Sequence, residues 1–179
     1  METIERDDRG IWGKALVAMP AIVLGGLLAG WLSNSGMDNG WYASLAKPGI
    51  QPPSYVFGPV WAALYALMGL ALAVIWNEPP SKQRSRAFGL FFIQLGLNFA
   101  WSPVFFRGHM IEIALVLLLV ILLLALVTAK AFRQLRPMAG WLLFPYLLWL
   151  CLATALNYET GRLNPGADAA PMGITGVRS

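Results

Sequence analysis

Apolar residues run through this chain in five long blocks, 11–32, 54–76, 87–106, 111–131 and 138–158, separated by more polar links. Each block approaches the ~20 residues a helix needs to cross the ~30 Å hydrocarbon core of a bilayer. A membrane-crossing strand is about half that length and alternates in character, which these blocks do not. Hydrocarbon offers no water to satisfy backbone groups, so the pattern predicts five transmembrane α-helices. Links as short as residues 107–110 force neighbouring helices antiparallel. The expected architecture is an all-α membrane protein with an N-terminal tail over 1–10, a five-helix domain over 11–160 and a flexible, Gly/Pro/Ala-rich tail over 161–179.

The connector between the first two blocks breaks this economy. It leads into the stretch WYASLAKPGIQPPSYVFGPVWAALYALM, which begins at Trp41 and carries four prolines, many aromatics and a single charge, Lys47. A plain connector needs only a few polar residues, whereas one of roughly twenty is a lid, a binding loop or disorder. Aromatic sequence with so little charge argues against disorder. The reading is a structured lid, with Trp41, Lys47, Pro48, Ile50 and Pro52 as its candidate residues.

Composition supports the membrane assignment: of 179 residues 58% are hydrophobic and only 12% charged, about half the charge of a soluble domain. Basic residues divide unevenly between the two sides of a five-span protein. The side of the N-terminus holds Arg6, Arg9, Lys14, Lys82, Arg84, Arg86, Lys130, Arg133 and Arg136; the other holds Lys47, Arg107, Arg162 and Arg178. In a bacterial inner membrane this places the N-terminus in the cytoplasm and the long loop outside; an outer or organellar membrane would remove the basis of the rule. Short basic flanks of this kind fit membrane topology, not nucleic-acid binding. Cys151, the lone cysteine, reads as a small apolar side chain.

Away from their ends the spans hold no Asp, Glu, Lys, Arg or His, which argues against ion pumping, proton relay or voltage sensing. A catalytic triad or a metal site also lacks ligands of the right type, so no catalytic residue or cofactor is assigned. What the spans do hold is a set of polar and aromatic stripes. Gln94, Asn98 and Trp101 share one face of the third block, Trp61, Tyr65 and Met68 one face of the second, and Pro145, Trp149, Ala153 and Leu156 a stripe on the fifth, with Asn157 a turn beyond Ala153. Gly26 and Gly30 are spaced as GxxxG, and Pro20, Pro59 and Pro145 are kink candidates. At 1.5 Å per residue, Trp61, Trp101 and Trp149 lie roughly 8–14 Å below the surface on the lid side.

Two interpretations of these residues stay open. Trp12, Trp31, Trp76 and Trp141 fit an interfacial belt, while Trp61, Trp101 and Trp149 either pack helices or line a pocket. Gln94 and Asn98 either bond across helices or meet a ligand. Leu156, Tyr158 and Arg162 match a weak sterol-contact pattern that an interfacial tyrosine with a snorkelling arginine explains equally. The patch from Gly89 to Ile93 offers a small-residue surface for a dimer partner.

The blocks WYASLAKPGIQPP, GPVWAALYALMG, QLGLNFAWSPVFF and LLFPYLLWLCLATALNY, in this order, resemble the TspO/MBR family of tryptophan-rich sensory proteins and mitochondrial translocator proteins (peripheral benzodiazepine receptors) across about residues 41–162. The resemblance implies five packed helices, often dimeric, with a pocket under the first loop. In the family that pocket takes porphyrins such as protoporphyrin IX, sterols, and benzodiazepine-type or isoquinoline ligands. Its tryptophans fall on Trp61, Trp101 and Trp149, its polar residues on Asn98 and Gln94, its affinity-linked small residue on Ala153, and its sterol motif on Leu156, Tyr158 and Arg162. Ile50 departs from a common tryptophan, and Ile113 and Leu117 replace a tryptophan and an aspartate of animal members.

The expectation is therefore a multi-pass receptor or sensor for planar hydrophobic ligands, with Trp61, Tyr65, Gln94, Asn98, Trp101, Trp149, Ala153 and Leu156 as its ligand-binding set. Transport of tetrapyrroles or sterols is the alternative, and light- and oxygen-dependent porphyrin degradation, which the resemblance suggests, is a third. The expected partners are the lipid membrane, a porphyrin or sterol ligand and a second copy of the chain.

Overall fold

Five helices of the computed structural model, which describes residues 9–169, are long and apolar enough to cross a bilayer. They arise as the hydrophobic blocks require, and the differences lie at their ends. Helix α1 is Arg9–Leu32, α3 is Ser54–Trp76, α4 is Lys82–Ser102, and α5 is Ile111–Leu135. A short helix, α2 (Gly40–Ser44), lies in the long connector. The fifth span is two helices, α6 (Pro137–Leu142) and α7 (Phe144–Leu163). The block over 54–76 coincides with α3. Helix α4 starts five residues before the apolar block because Ser81 caps it, accepting a hydrogen bond from the Arg84 amide at 3.1 Å. A polar first turn is invisible to a hydrophobicity count.

Prolines act differently from place to place. Pro20 and Pro59 sit inside unbroken helices. Pro145 lacks the N–H that would bond back to Trp141, and the span is interrupted at Leu143, whose amide turns to Gly140 at 3.2 Å. At the end of α4, residues Pro103–Arg107 widen into a π turn closed by the Gly108 amide on the Pro103 carbonyl at 2.9 Å.

The break at Leu143 shapes the bundle. Helix α6 packs on both α3 and α5, whereas α7 stays on α5 and barely meets α3. The bundle is consequently dense at the α6 end and splayed at the lid end. In the dense half, Phe91 of α4 stacks on Phe132 of α5 at 5.6 Å, and Met68, Val74 and Ile75 of α3 are fully buried. Gly69 lets α1 and α3 touch backbone to backbone: a Cβ there would lie 2.5 Å from the Met19 Cα. Polar contacts fasten the same end, where Arg136 pairs with Glu78 and Lys14 donates to Asn77 at 2.7 Å. Leucines such as Leu16, Leu24, Leu28 and Leu123 face outward, as a lipid-facing surface requires.

Two boundary expectations change. The N-terminal tail read over 1–10 gives way to helix at Arg9, and residues 1–8 lie outside the described part. The stretch read as a flexible tail from 161 starts as helix, since α7 runs to Leu163, and the segment 164–169 after it is held by hydrogen bonds described below. Residues 170–179 lie outside the described part.

The contact at Gly69 gives a direct test of this packing. Gly69→Val places branched carbons inside the α1 backbone and is expected to lower stability by ~1–3 kcal/mol or more, read as a lower thermal midpoint of the detergent-solubilised protein.

Candidate functional site

Beneath the connector, in the splayed half, lies a cavity of about 520 Å³, within the usual ~300–1,000 Å³ range of small-molecule sites. Its walls come from α1, α3, α4 and α7. Trp61 stacks on Tyr65 at 5.2 Å and meets Trp149 edge-on at 6.3 Å, and Phe57 meets Trp149 edge-on at 5.7 Å. Aromatic rings therefore bridge α3 and α7 where the two helices hardly touch. Trp101 stacks on Phe105 at 5.0 Å. Each of the three indoles spends part of its surface on another aromatic ring and lines the cavity as well.

A chain of hydrogen bonds supports these walls. Tyr65 Oη donates to Asn98 Oδ1 at 2.8 Å, Asn98 Nδ2 donates to Tyr146 Oη at 3.1 Å, and Tyr146 Oη donates to Gln94 Oε1 at 2.9 Å. All four residues are buried. The chain joins α3, α4 and α7 at membrane depth, where an unpaired polar group has no water to turn to. Gly26 of α1 makes room for this arrangement, since a Cβ there would lie 2.0 Å from the Tyr65 ring.

The roof is fastened at several points. Asn39 caps α2 by accepting from the Tyr42 amide at 3.0 Å and also donates to the Phe106 carbonyl at 3.1 Å. Trp41 stacks on His109 at 4.2 Å, and Leu45 is buried in a small second core with Phe105, Ile111 and Ala114. Tyr42 reaches Gln51 at 3.4 Å, and both line the cavity. Lys47 donates to the carbonyls of Tyr42 and Leu45 with its ammonium 4.2 Å from the Tyr42 ring centre. Burial pushes the Tyr42 phenol above its ordinary range and the Lys47 ammonium below its own.

Beyond α7 the chain returns to hold the roof. The Asn164 side-chain amide accepts from the Ala46 amide at 2.8 Å and donates to the Ala46 carbonyl at 3.0 Å, pairing with the loop as a strand would. Asp168 then caps α5 by accepting from the Glu112 amide at 2.5 Å, and the Ala169 amide donates to the His109 carbonyl at 2.9 Å.

The expected ligand set meets this geometry unevenly. Trp61, Tyr65, Asn98, Trp101, Trp149, Ala153 and Leu156 line one cavity. Gln94 does not; it sits a turn deeper, holding Tyr146. Of the lid candidates, Trp41, Lys47, Pro48, Ile50 and Pro52 lie off the wall, which the connector builds from residues 34–38, Tyr42 and Gln51. Pro48 is buried, and Ile50 is exposed outward at 58%. Leu156, Tyr158 and Arg162 do not share a surface: Leu156 faces the cavity, while Tyr158 is 44% exposed and Arg162 is exposed and bonded to Glu159. Their positions along α7 put Leu156 on the opposite flank from the other two. Gly89 and Ile93 lie exposed on the outer face of α4.

Tyr146 and Asn164 were not legible as site residues. Tyr146 sits in the apolar run of the fifth span, and only its hydroxyl's burial marks it. Asn164 pairs with a residue 118 positions away.

A bundle of this kind, with its aromatic and polar residues gathered under one roofed end, defines a multi-pass integral membrane protein built around a cavity. The model of the TspO/MBR family matches residues 17–163. The human translocator protein is 43% identical over 128 residues, covering 70% of this chain and 76% of the human protein. The tryptophan-rich sensory protein of Cereibacter sphaeroides is 41% identical over 124 residues, 69% of this chain and 77% of that protein. The tryptophan-rich protein TspO of Archaeoglobus fulgidus is 40% identical over 124 residues, 69% and 80%. The chain belongs to the TspO/MBR family.

The roof and its support are separable by substitution. Asn164→Ala removes the clasp on Ala46 and is expected to speed amide hydrogen exchange across residues 41–51 with little change in the thermal midpoint. Tyr146→Phe leaves Asn98 and Gln94 short of a partner at depth and is expected to cost ~1–3 kcal/mol, read by thermal unfolding, with the exchange of the roof unchanged.

Proposed function

We propose that this protein is a membrane receptor or sensor that takes a planar hydrophobic ligand into the roofed cavity. The observation that carries the reading is the convergence of Trp61, Trp101 and Trp149, from three helices, on one roofed space. Indole faces favour flat, polarisable molecules, each contact adding ~0.5–1.5 kcal/mol beyond the burial of apolar area. Family membership supports a receptor or sensor role, and relatives carry the names translocator protein and tryptophan-rich sensory protein. Porphyrins and sterols are the ligand classes that fit the reading. In it, the long loop faces outward from a bacterial membrane with the N-terminus inside, and a second copy packs across the exposed face of Gly89 and Ile93.

Porphyrin added to the reconstituted protein is expected to quench tryptophan emission saturably. Trp61→Phe and Trp149→Phe are each expected to raise Kd roughly 2- to 10-fold. Unchanged affinity in both single variants and in the double variant would remove the cavity from the reading.

A further inference from the structure

The described lysines and arginines divide by the end of the bundle on which they stand. On the roof side each has a protein partner: Lys47 holds the Tyr42 and Leu45 carbonyls, Arg107 the Leu32 carbonyl at 3.3 Å, and Arg162 the Glu159 carboxylate at 2.8 Å. At the α6 end, Lys14 bonds to Asn77, Arg84 donates to the Glu78 carbonyl, and Arg136 pairs with the Glu78 carboxylate. Among the described residues Glu78 is the one carboxylate at this end. Lys82, Arg86, Lys130 and Arg133 are exposed there, with no hydrogen-bond or ion-pair partner among the described residues.

Two of these four stand where helices meet. On α5 the exposed residues Leu119, Leu123, Leu126 and Val127 form a lipid-facing stripe, and the same face continues into Lys130 and Arg133. Lys130 lies roughly 8 Å short of the end of α5, so its apolar stem carries the ammonium outward to the level of the headgroups. Helix α6 meets α5 at this height with almost nothing between the backbones. A Cβ at Gly140 would lie 2.6 Å from the Arg133 Cβ and 2.9 Å from the Ala129 carbonyl oxygen. The next residue, Trp141, is 62% exposed and meets Phe144, itself 46% exposed, edge-on at 5.9 Å. Two unanswered cations and a pair of exposed rings therefore border the seam of α5 and α6.

Lys130 and Arg133 are one helical turn apart, so each charge raises the cost of the other until an anion comes between them. A lipid phosphate is such an anion, and a bilayer presents it at the depth these side chains reach. A zwitterionic headgroup brings its own ammonium and offsets the gain, whereas an anionic phospholipid does not. Indoles favour the same interfacial layer. We propose that Lys130, Arg133 and Trp141 form a binding site for an anionic phospholipid of the leaflet at the α6 end. The phosphate lies between the two cations, the glycerol against Trp141, and an acyl chain along the stripe of Leu126, Leu123 and Leu119. The site stands at the end of the bundle opposite the roofed cavity and is independent of what the cavity binds. Lys82 and Arg86 carry the same charge on the outward face of α4, with Gly89 and Ile93, and serve as an internal control.

Full-length protein in non-ionic detergent is titrated with phosphatidylglycerol and with phosphatidylcholine of identical acyl chains, and bound lipids are counted by native mass spectrometry. The first phosphatidylglycerol is expected to bind at least ~10-fold more tightly than the first phosphatidylcholine. Lys130→Gln with Arg133→Gln is expected to shrink that preference to under ~3-fold, while Lys130→Arg with Arg133→Lys retains it. Lys82→Gln with Arg86→Gln is expected to leave it intact. Trp141→Ala is expected to weaken phosphatidylglycerol binding ~3-fold or more. All five side chains are exposed, and an unchanged thermal midpoint checks that each variant keeps its fold. Equal affinity for the two lipids, or a preference that survives loss of both α5 cations, overturns the site. An equal loss on removing Lys82 and Arg86 marks a diffuse charge effect and overturns it as well, as does undiminished binding by Trp141→Ala. Displacement of the lipid by an equal concentration of glycerol 3-phosphate makes the occupant a soluble phosphate and overturns the lipid assignment.

Discussion

A polar group inside hydrocarbon must find a partner within the protein, and this requirement organises the deep half of the site. The Tyr65–Asn98–Tyr146–Gln94 chain is the response, joining three helices by hydrogen bonds that water cannot replace. Because each member depends on the next, the chain fixes how α3, α4 and α7 are rotated about their axes. That rotation in turn points Trp61 and Trp149 across the same space. Trp101, on the same helix as Asn98, is carried to the wall with it. The aromatic walls thus owe their convergence to a buried polar thread more than to the aromatic contacts themselves.

The dense and splayed halves of the bundle divide the labour. Near α6, glycine contacts and large buried side chains lock the helices together, and the ion pair of Arg136 with Glu78 closes that end. Past Leu143 the helices part, and the space between them is spanned by side chains. The roof is then held from two directions, by α2 packing on the end of α4 and by Asn164 reaching back from the end of α7. Roof and wall meet at Phe105, on which Trp101 stacks and Trp41 and Tyr42 pack edge-on, while the deep polar chain is built from other residues.

Much of this was legible in the sequence because the bilayer forces a simple code. Apolar block length gave the five spans, and helical spacing placed Trp61 with Tyr65 and Asn98 with Trp101 on common faces. The code fails where the physics is not periodic. Lys82 and the polar turn after it are helical because of a cap, not because of hydrophobicity. Tyr146 is hidden in an apolar run, since its value lies in one hydroxyl. The clasp of Asn164 on Ala46 joins positions far apart in the chain, which no local pattern reveals. The connector is ordered, as its aromatic content implies, but the residues it turns inward are 34–38, Tyr42 and Gln51, the last two neighbours of the candidates Trp41, Ile50 and Pro52. A loop has no fixed period from which to infer a facing side.

The interruption of the fifth span at Leu143 has a consequence for how the cavity adapts. Since α3 and α7 are bridged near the roof by the rings of Phe57, Trp61 and Trp149, the width of the chamber is governed by side-chain torsions. Rotating an aromatic ring costs far less than moving a membrane-spanning backbone. On the proposed reading, ligands of different outline would be met by re-posing three rings against an unmoved frame. A single imino acid, Pro145, in this sense gives a rigid bundle an adjustable aperture.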